Sequence, residues 1–319
     1  MSFVTRYLEP ALVERLNHLQ VSARSVVEGA TTGAHRSPLK GASVEFRQHR
    51  FYTPGDEPRR LDWRVLARTD RPYIKEYDEE TNLRCVLMLD ESGSMAYAGG
   101  SKSESAPAPA PARASGPGAG VEPGSKFDYA AKFVASLAYL MLGQTESVGL
   151  ALFGGRVQQW LVPRSGTQQL SRVIDLLERA GPRGESDPGK AMHDVADRLG
   201  RRSLVIAVSD YFTPVQRLRE GLARLRHDRH ETIVLRVLDR DEVEFPFRKW
   251  ARFRGLEGEQ SKLLEPAVVR RNYLENFRRH QRALEETCRA LGVEYFSFVT
   301  EKPVIESITT FLRRRSGTT

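Results

Sequence analysis

Apolar residues fall along this chain in two rhythms. Unbroken runs such as Cys85-Val-Leu-Met-Leu89 and Leu204-Val-Ile-Ala-Val208 have the length and composition of strands buried on both faces. Three-and-four spacing between such runs marks amphipathic helices. The pattern predicts a helix opening at Pro10 with Leu12, Leu16 and Leu19 on one side, extended segments over Ser43–Tyr52 and Tyr73–Asp78, and a strand over Arg84–Leu89. Helix Phe127–Leu142, strand Val148–Phe153 and a hairpin partner over Val157–Val162 come next. Then follow helices Gln168–Arg179 and Lys190–Leu199, strand Leu204–Ser209, helix Pro214–His227 and strand Thr232–Leu238. After a loop-rich excursion over residues 239–266, a helix over Val268–Leu291 stops at Gly292, a strand covers Val293–Val299, and Pro303 opens the last helix. Strands alternating with helices predict an α/β fold of Rossmann type, a mostly parallel sheet with helices on both faces. Helix Phe127–Leu142 is apolar nearly all round, which predicts burial on every side.

Two domains are expected: a small N-terminal helix and β-rich subdomain over residues 1–80, and the main domain over 81–319. A tract of Pro, Ala, Gly and Ser over 99–125 has nothing with which to bury a core. It reads as a disordered insertion, extended where Ala-Pro repeats favour polyproline geometry.

Composition adds limits. An apolar share of 40% in 319 residues supports a proper core. Cys85 lies in a predicted strand and Cys288 on a helix stripe with Tyr273, Phe277, Leu284 and Leu291, so both read as small buried apolar residues rather than a disulfide. No segment approaches the ~20 apolar residues that span a bilayer, and Met1-Ser-Phe-Val-Thr-Arg6 lacks a signal-peptide core, so a cytoplasmic location is expected. The net charge of +8 comes from 49 basic and 41 acidic residues. Basic clusters at Arg217–Arg229, Arg270–Arg282 and Arg313–Arg315 read first as solvated helix faces; attraction of an acidic protein, nucleic acid or anionic lipid is the alternative.

The chemistry concentrates after two strands. The first runs into Asp90-Glu-Ser92-Gly-Ser94, and in an open α/β sheet ligands bind beyond the carboxyl ends of the strands. One carboxylate and two hydroxyls form a hard oxygen donor set suited to Mg²⁺, with Mn²⁺ as the close competitor. The second strand ends in Asp210, and the turn-rich loop Gly184-Glu-Ser-Asp-Pro-Gly189 offers Ser186. Catalysis lacks its usual parts. A haloacid-dehalogenase-type phosphatase needs a second Asp where Ser92 stands; Gly184-Glu-Ser186-Asp-Pro188 breaks the G-x-S-x-G pattern; Gly124-Ser-Lys126 is no Walker A loop. His227 and His230 sit in a basic helix end and read as solvated rather than zinc-bound. No catalytic residue is assigned, and the chain is not expected to be an enzyme.

The D-x-S-x-S loop, the hydroxyl loop and the later Asp resemble the von Willebrand factor A fold and its metal-ion-dependent adhesion site, with Ser186 standing where that family usually has Thr. Upstream, Gly55-Asp56-Glu57-Pro58-Arg59-Arg60-Leu61-Asp62-Trp63, then Ala67-Arg68, then Tyr73-Ile-Lys-Glu-Tyr77 resemble the signature of the bacterial domain-of-unknown-function family number fifty-eight. The likeness extends through Val237–Phe247 to Phe311–Arg315. Taken alone, Asp56, Arg60, Asp62 and Arg68 read as a structural salt-bridge knot around Trp63, with partner docking left open. The resemblance implies a Mg²⁺ site built from Asp90, Ser92, Ser94, Ser186 and Asp210. It also implies a partner, a MoxR-type AAA+ ATPase, in chaperone-like assembly or metal insertion. An ion held by few carboxylates keeps charge for an outside acidic residue, so the leading expectation is a metal-dependent protein-interaction module. A nucleic-acid-associated protein with a structural metal is the alternative, and a metal hydrolase ranks last.

Overall fold

The computed structural model describes residues 6–19, 44–53, 61–79, 83–99, 124–200, 202–247, 251–253 and 262–315. These form two compact units, one from residues 1–31 and 83–319 and the other from 32–82. In chain order the elements are α1 (Pro10–Asn17), β1 (Val44–Phe51), α2 (Trp63–Thr69), β2 (Tyr73–Glu79), β3 (Arg84–Asp90), α3 (Lys126–Leu142), β4 (Ser147–Phe153), β5 (Val157–Arg164), α4 (Thr167–Arg179) and α5 (Pro188–Arg198). They continue with β6 (Leu204–Ser209), α6 (Val215–His227), β7 (Glu231–Leu238), α7 (Arg240–Glu244), β8 (Ala251–Phe253), β9 (Lys262–Leu264), α8 (Pro266–Ala290), β10 (Glu294–Val299) and α9 (Val304–Arg315).

The main sheet has the order β10-β7-β6-β3-β4-β5, parallel except for β5, which returns antiparallel beside β4. This is the mostly parallel α/β architecture that the alternation of strands and helices predicts. The period of two along a strand sorts β3 between two layers. Cys85, Leu87 and Leu89 join one buried cluster with residues of α1, α3, α4 and α9; Val86 and Met88 join the other with α5, α6 and α8. Fourteen residues of α3, from Lys126 to Met141, are buried, as its all-round apolar surface requires. α5 and α6 approach backbone to backbone through Gly189 and Gly221: a Cβ built on Gly189 would lie 2.1 Å from the Arg217 carbonyl oxygen.

Some expectations change. α1 belongs to the main unit, not with the β-rich segment, because Tyr7, Leu8 and Leu16 are buried in the same apolar cluster as α3. Arg6 and Asp128 add an ion pair there at 3.2 Å. The excursion is less loop-like than its composition suggests: it contains α7, the antiparallel pair β8 and β9, and the start of α8. Of the tract over 99–125, residues 100–123 lie outside the described residues, while Gly124 forms a turn and Ser125 caps α3 by accepting from the Asp128 amide at 3.1 Å.

In the smaller unit, β1 and β2 pair antiparallel from Val44↔Glu79 to Phe51↔Tyr73. Asp62 caps α2, accepting from the Val65 amide at 3.2 Å. Asp56 and Arg60 of the expected knot lie outside the described residues, and Trp63, expected at its centre, is 64% exposed.

Candidate metal centre

Three loops meet beyond the carboxyl ends of β3, β4 and β6. The Glu91 amide donates to the Phe153 carbonyl at 2.7 Å, Arg183 N donates to the Glu91 carbonyl at 2.6 Å, and Gly93 N donates to the Gly184 carbonyl at 2.8 Å. Asp187 N donates to the Gly154 carbonyl at 2.9 Å, and the Asp187 side chain caps α5 by accepting from Lys190 N at 3.0 Å. Backbone ties therefore join the loop after β3 to the end of β4 and to the loop that opens α5.

Asp90 sits at the centre, 0% exposed. Its Oδ1 accepts from the Ser92 amide at 2.8 Å; its Oδ2 accepts from the Ser186 hydroxyl at 2.7 Å and the Ser209 hydroxyl at 2.6 Å. The Ser92 and Ser94 hydroxyl oxygens lie 3.2 Å apart. Four of the five expected ligands are thus within one hydrogen-bonded cluster. The fifth, Asp210, joins it through Ser94, whose hydroxyl hydrogen-bonds its carboxylate, and its charge also acts on Asp90.

Four residues were missed by sequence reasoning. Ser209, the last residue of β6, bridges Asp90 and the Tyr211 amide, from which it accepts at 2.9 Å. Tyr211 holds a left-handed backbone with φ of 54°, unusual for a bulky residue. It is fixed there by its own hydroxyl donating to the Ala207 carbonyl at 2.7 Å and by a 2.8 Å contact between its carbonyl oxygen and His280 Nε2. Lys126, fully buried, donates to Asp210 Oδ2 and to Glu242 Oε1, both at 2.6 Å. Lys126 carried a signal: a cation in the first turn of an apolar helix opposes the helix dipole and calls for buried anions. Glu242 also carried one, since Asp239-Arg-Asp-Glu242 is a capping-box pattern, and both halves of that box are formed at the start of α7.

Charge is unevenly compensated. Burial, followed by the charge of Asp210, pushes the Asp90 carboxyl up to about 6, with the three serines opposing the shift. Burial likewise pushes Glu91 up to about 6, and neither of its buried carboxylate oxygens meets a hydrogen-bond donor within good geometry. Burial works against charge on Asp210 and Lys126 as well, yet the ion pair prevails: Asp210 is held below the usual carboxylate range and the ammonium above its ordinary value. Glu242, partly buried and beside Asp210, is raised despite Lys126.

The residues fit a hard divalent cation. Asp90 is a buried carboxylate with hydroxyl and amide donors but no ion-pair partner among the described residues. The Ser92–Ser94 separation of 3.2 Å is close to the spacing, about 3 Å, of neighbouring oxygens around octahedral Mg²⁺. Among the described residues no group of three or more His, Cys, Asp or Glu is placed to hold a metal. The donor set is hydroxyl-rich, unlike a zinc or calcium cage.

An uncharacterized protein of Mycobacterium tuberculosis is 24% identical over 312 residues, covering 96% of this chain and 90% of its own. Among solved structures, the conserved hypothetical protein BatB from Bacteroides thetaiotaomicron aligns with a TM-score of 0.44 at 14% identity, over 74% of this chain and 99% of that one. An aerotolerance-related membrane protein from Bacteroides fragilis aligns with a TM-score of 0.45 at 14% identity, over 74% of this chain and 100% of that one. The expected cytoplasmic location is corrected by the membrane description of this neighbour, and it is withdrawn. It rested on the lack of a span; no described helix is long and apolar enough to cross a membrane, but that does not distinguish a free protein from an attached one. The family model described as "Protein of unknown function DUF58" matches residues 48–111 and 115–283, and the chain belongs to that family.

Proposed function

We propose that this protein is a metal-dependent protein-interaction module that takes up an acidic residue of a partner at a Mg²⁺ site, with Mn²⁺ as an alternative ion. Asp90, Ser92 and Ser94 supply the core ligands, Ser186 a further hydroxyl, and Asp210 acts directly or through water. The observation that carries this reading is the buried Asp90 carboxylate, which has no ion-pair partner among the described residues and accepts from the Ser92 amide and the Ser186 and Ser209 hydroxyls. A cation there is balanced by one full carboxylate and neutral oxygens, so it keeps charge for an incoming carboxylate. In this reading the role is binding rather than catalysis: the carboxylate to which Ser186 and Ser209 donate is Asp90, which is assigned to the metal and not to proton transfer.

The family resemblance supplies the partner in this proposal, a MoxR-type AAA+ ATPase, with the chain acting as its adaptor or cofactor in chaperone-like assembly. Pull-down from the native cell with Mg²⁺ or with EDTA, using the parent chain and Asp90→Ala, tests it. The expected result is an AAA+ ATPase recovered only by the parent with Mg²⁺; recovery that ignores both metal and Asp90 overturns the proposal. The nucleic-acid alternative draws less support, because several arginines of the basic clusters are already paired. Arg224 meets Asp197 and Asp228, Arg217 meets Asp187, and Arg315, nearly buried, meets Glu231 and Glu294. Binding that survives Asp90→Ala and weakens steeply with salt would revive it.

A further inference from the structure

Lys126, the first residue of α3, has no exposed surface, and two chain segments close around its ammonium. Asp210 Oδ2 comes from the loop after β6 and Glu242 Oε1 from α7, each accepting at 2.6 Å. The second Glu242 oxygen accepts from the Asp239 amide at 2.8 Å, and Tyr97, in the loop that follows Ser94, donates to Asp241 at 3.0 Å, so α7 is fastened beside the site. The remaining Asp210 oxygen accepts from the Phe212 amide at 3.2 Å. The ring of Phe212 lies under the ammonium at 5.1 Å. Asp90, by contrast, has no salt-bridge partner among the described residues.

We propose that Lys126 is a resident cation of the site that withholds Asp210 from the metal, lowering metal affinity while leaving the bound ion with more uncompensated charge for a partner's carboxylate. This rests on the metal reading above. Two effects act in the same direction. A divalent ion near Asp210 feels the repulsion of a buried ammonium that solvent screens poorly, and drawing Asp210 toward the ion weakens a 2.6 Å charge-assisted bond. Glu242 divides the hold of Lys126, so it keeps Asp210 from being bound to the ammonium alone.

Calorimetric titration of the full chain with Mg²⁺ alone tests this. Lys126→Met removes the charge and keeps the shape, and it is expected to bind Mg²⁺ about tenfold or more tightly than the parent. Glu242→Gln leaves the ammonium to Asp210 and is expected to bind several-fold more weakly. Opposite signs matter, because a merely structural role for the Lys126 cluster would weaken binding in both. A folded Lys126→Met chain that binds no tighter than the parent overturns the inference. If that variant unfolds without metal, recovery of its native circular dichroism by Mg²⁺ supports the inference, and failure to recover combined with parent-like binding by Glu242→Gln overturns it. No Mg²⁺ binding by parent and both variants sinks the metal reading itself, and binding by the parent that persists in Asp90→Ala moves the ion elsewhere.

Discussion

The Ser209 hydroxyl donates to Asp90 Oδ2 at 2.6 Å while accepting from the Tyr211 amide at 2.9 Å, so a single side chain ties the end of β6 to the end of β3. Ser209→Ala leaves Asp90 short of a donor and the Tyr211 amide short of an acceptor, both buried where water does not replace them. The expected loss is about 1–3 kcal/mol. It would appear as a lower urea midpoint at unchanged slope. Parent-like stability would count against this bridge.

Asp90 links stability to pH. Its carboxyl is pushed from 3.8 to about 6 in the folded chain, so between those values the folded state holds a proton that the unfolded state has released. That contribution is full below 3.8 and is lost as pH rises through about 6. With EDTA present, Asp90→Asn is expected to remove a loss on the order of 2–3 kcal/mol from the melting profile. Part of the slope remains, because Glu91 is raised over nearly the same window. Mg²⁺ acts in the opposite direction, since it needs the ionised carboxylate, and should raise Tm more near about pH 7.5 than near about pH 5. Equal Mg²⁺ shifts at both would remove Asp90 from the ligand set.

Gly189 tests how α5 positions Ser186. A Cβ there would meet the Arg217 carbonyl at 2.1 Å, and one at Gly221 would meet the Gly189 carbonyl at 2.7 Å. Backbone cannot swing aside as a side-chain tip can, so Gly189→Ala must push α5 from α6. A cost of about 1–3 kcal/mol or more is expected, together with weaker Mg²⁺ binding as the Ser186 loop shifts. An unchanged thermal melt would show that the helices separate freely.

The two thiols should be silent in the native state. Cys85 and Cys288 are free and buried, and they lie in the two different apolar clusters, one on each face of the sheet. Burial pushes both thiols up, Cys288 to about 12. A colorimetric thiol reagent at neutral pH is expected to find neither until denaturant is added, when it should count both. Rapid native labelling would mean that a helix face opens.

What was legible in the sequence was local. Continuous apolar runs announced β3 and β6, and Asp90, Ser92 and Ser94 were readable because a strand end delivers neighbouring residues to one place. Asp210 followed from the same rule at the end of β6, and Ser186 from the turn-rich loop that opens α5. Lys126 and Glu242 escaped because their meaning lies in a contact across the fold, 116 residues apart in the chain. Ser209 looked like the last residue of an apolar strand, since nothing in Leu204–Ser209 tells which face its hydroxyl will take. The helix α7 was hidden by a charged, proline-flanked neighbourhood, although its capping residues were present. Trp63 is exposed and Asp62 caps α2, while Asp56 and Arg60 lie outside the described residues.

β3 occupies an interior place in the sheet, between β4 and β6. During synthesis the Asp90 strand emerges early, and its partner on one side is not made until the ribosome has passed Ser209. The centre therefore assembles late, by closing long loops, which favours slow folding and leaves a sticky apolar ribbon waiting in the nascent chain. An ion cannot complete its shell in the first steps, because Ser186 and Asp210 are still to be translated when Asp90, Ser92 and Ser94 emerge.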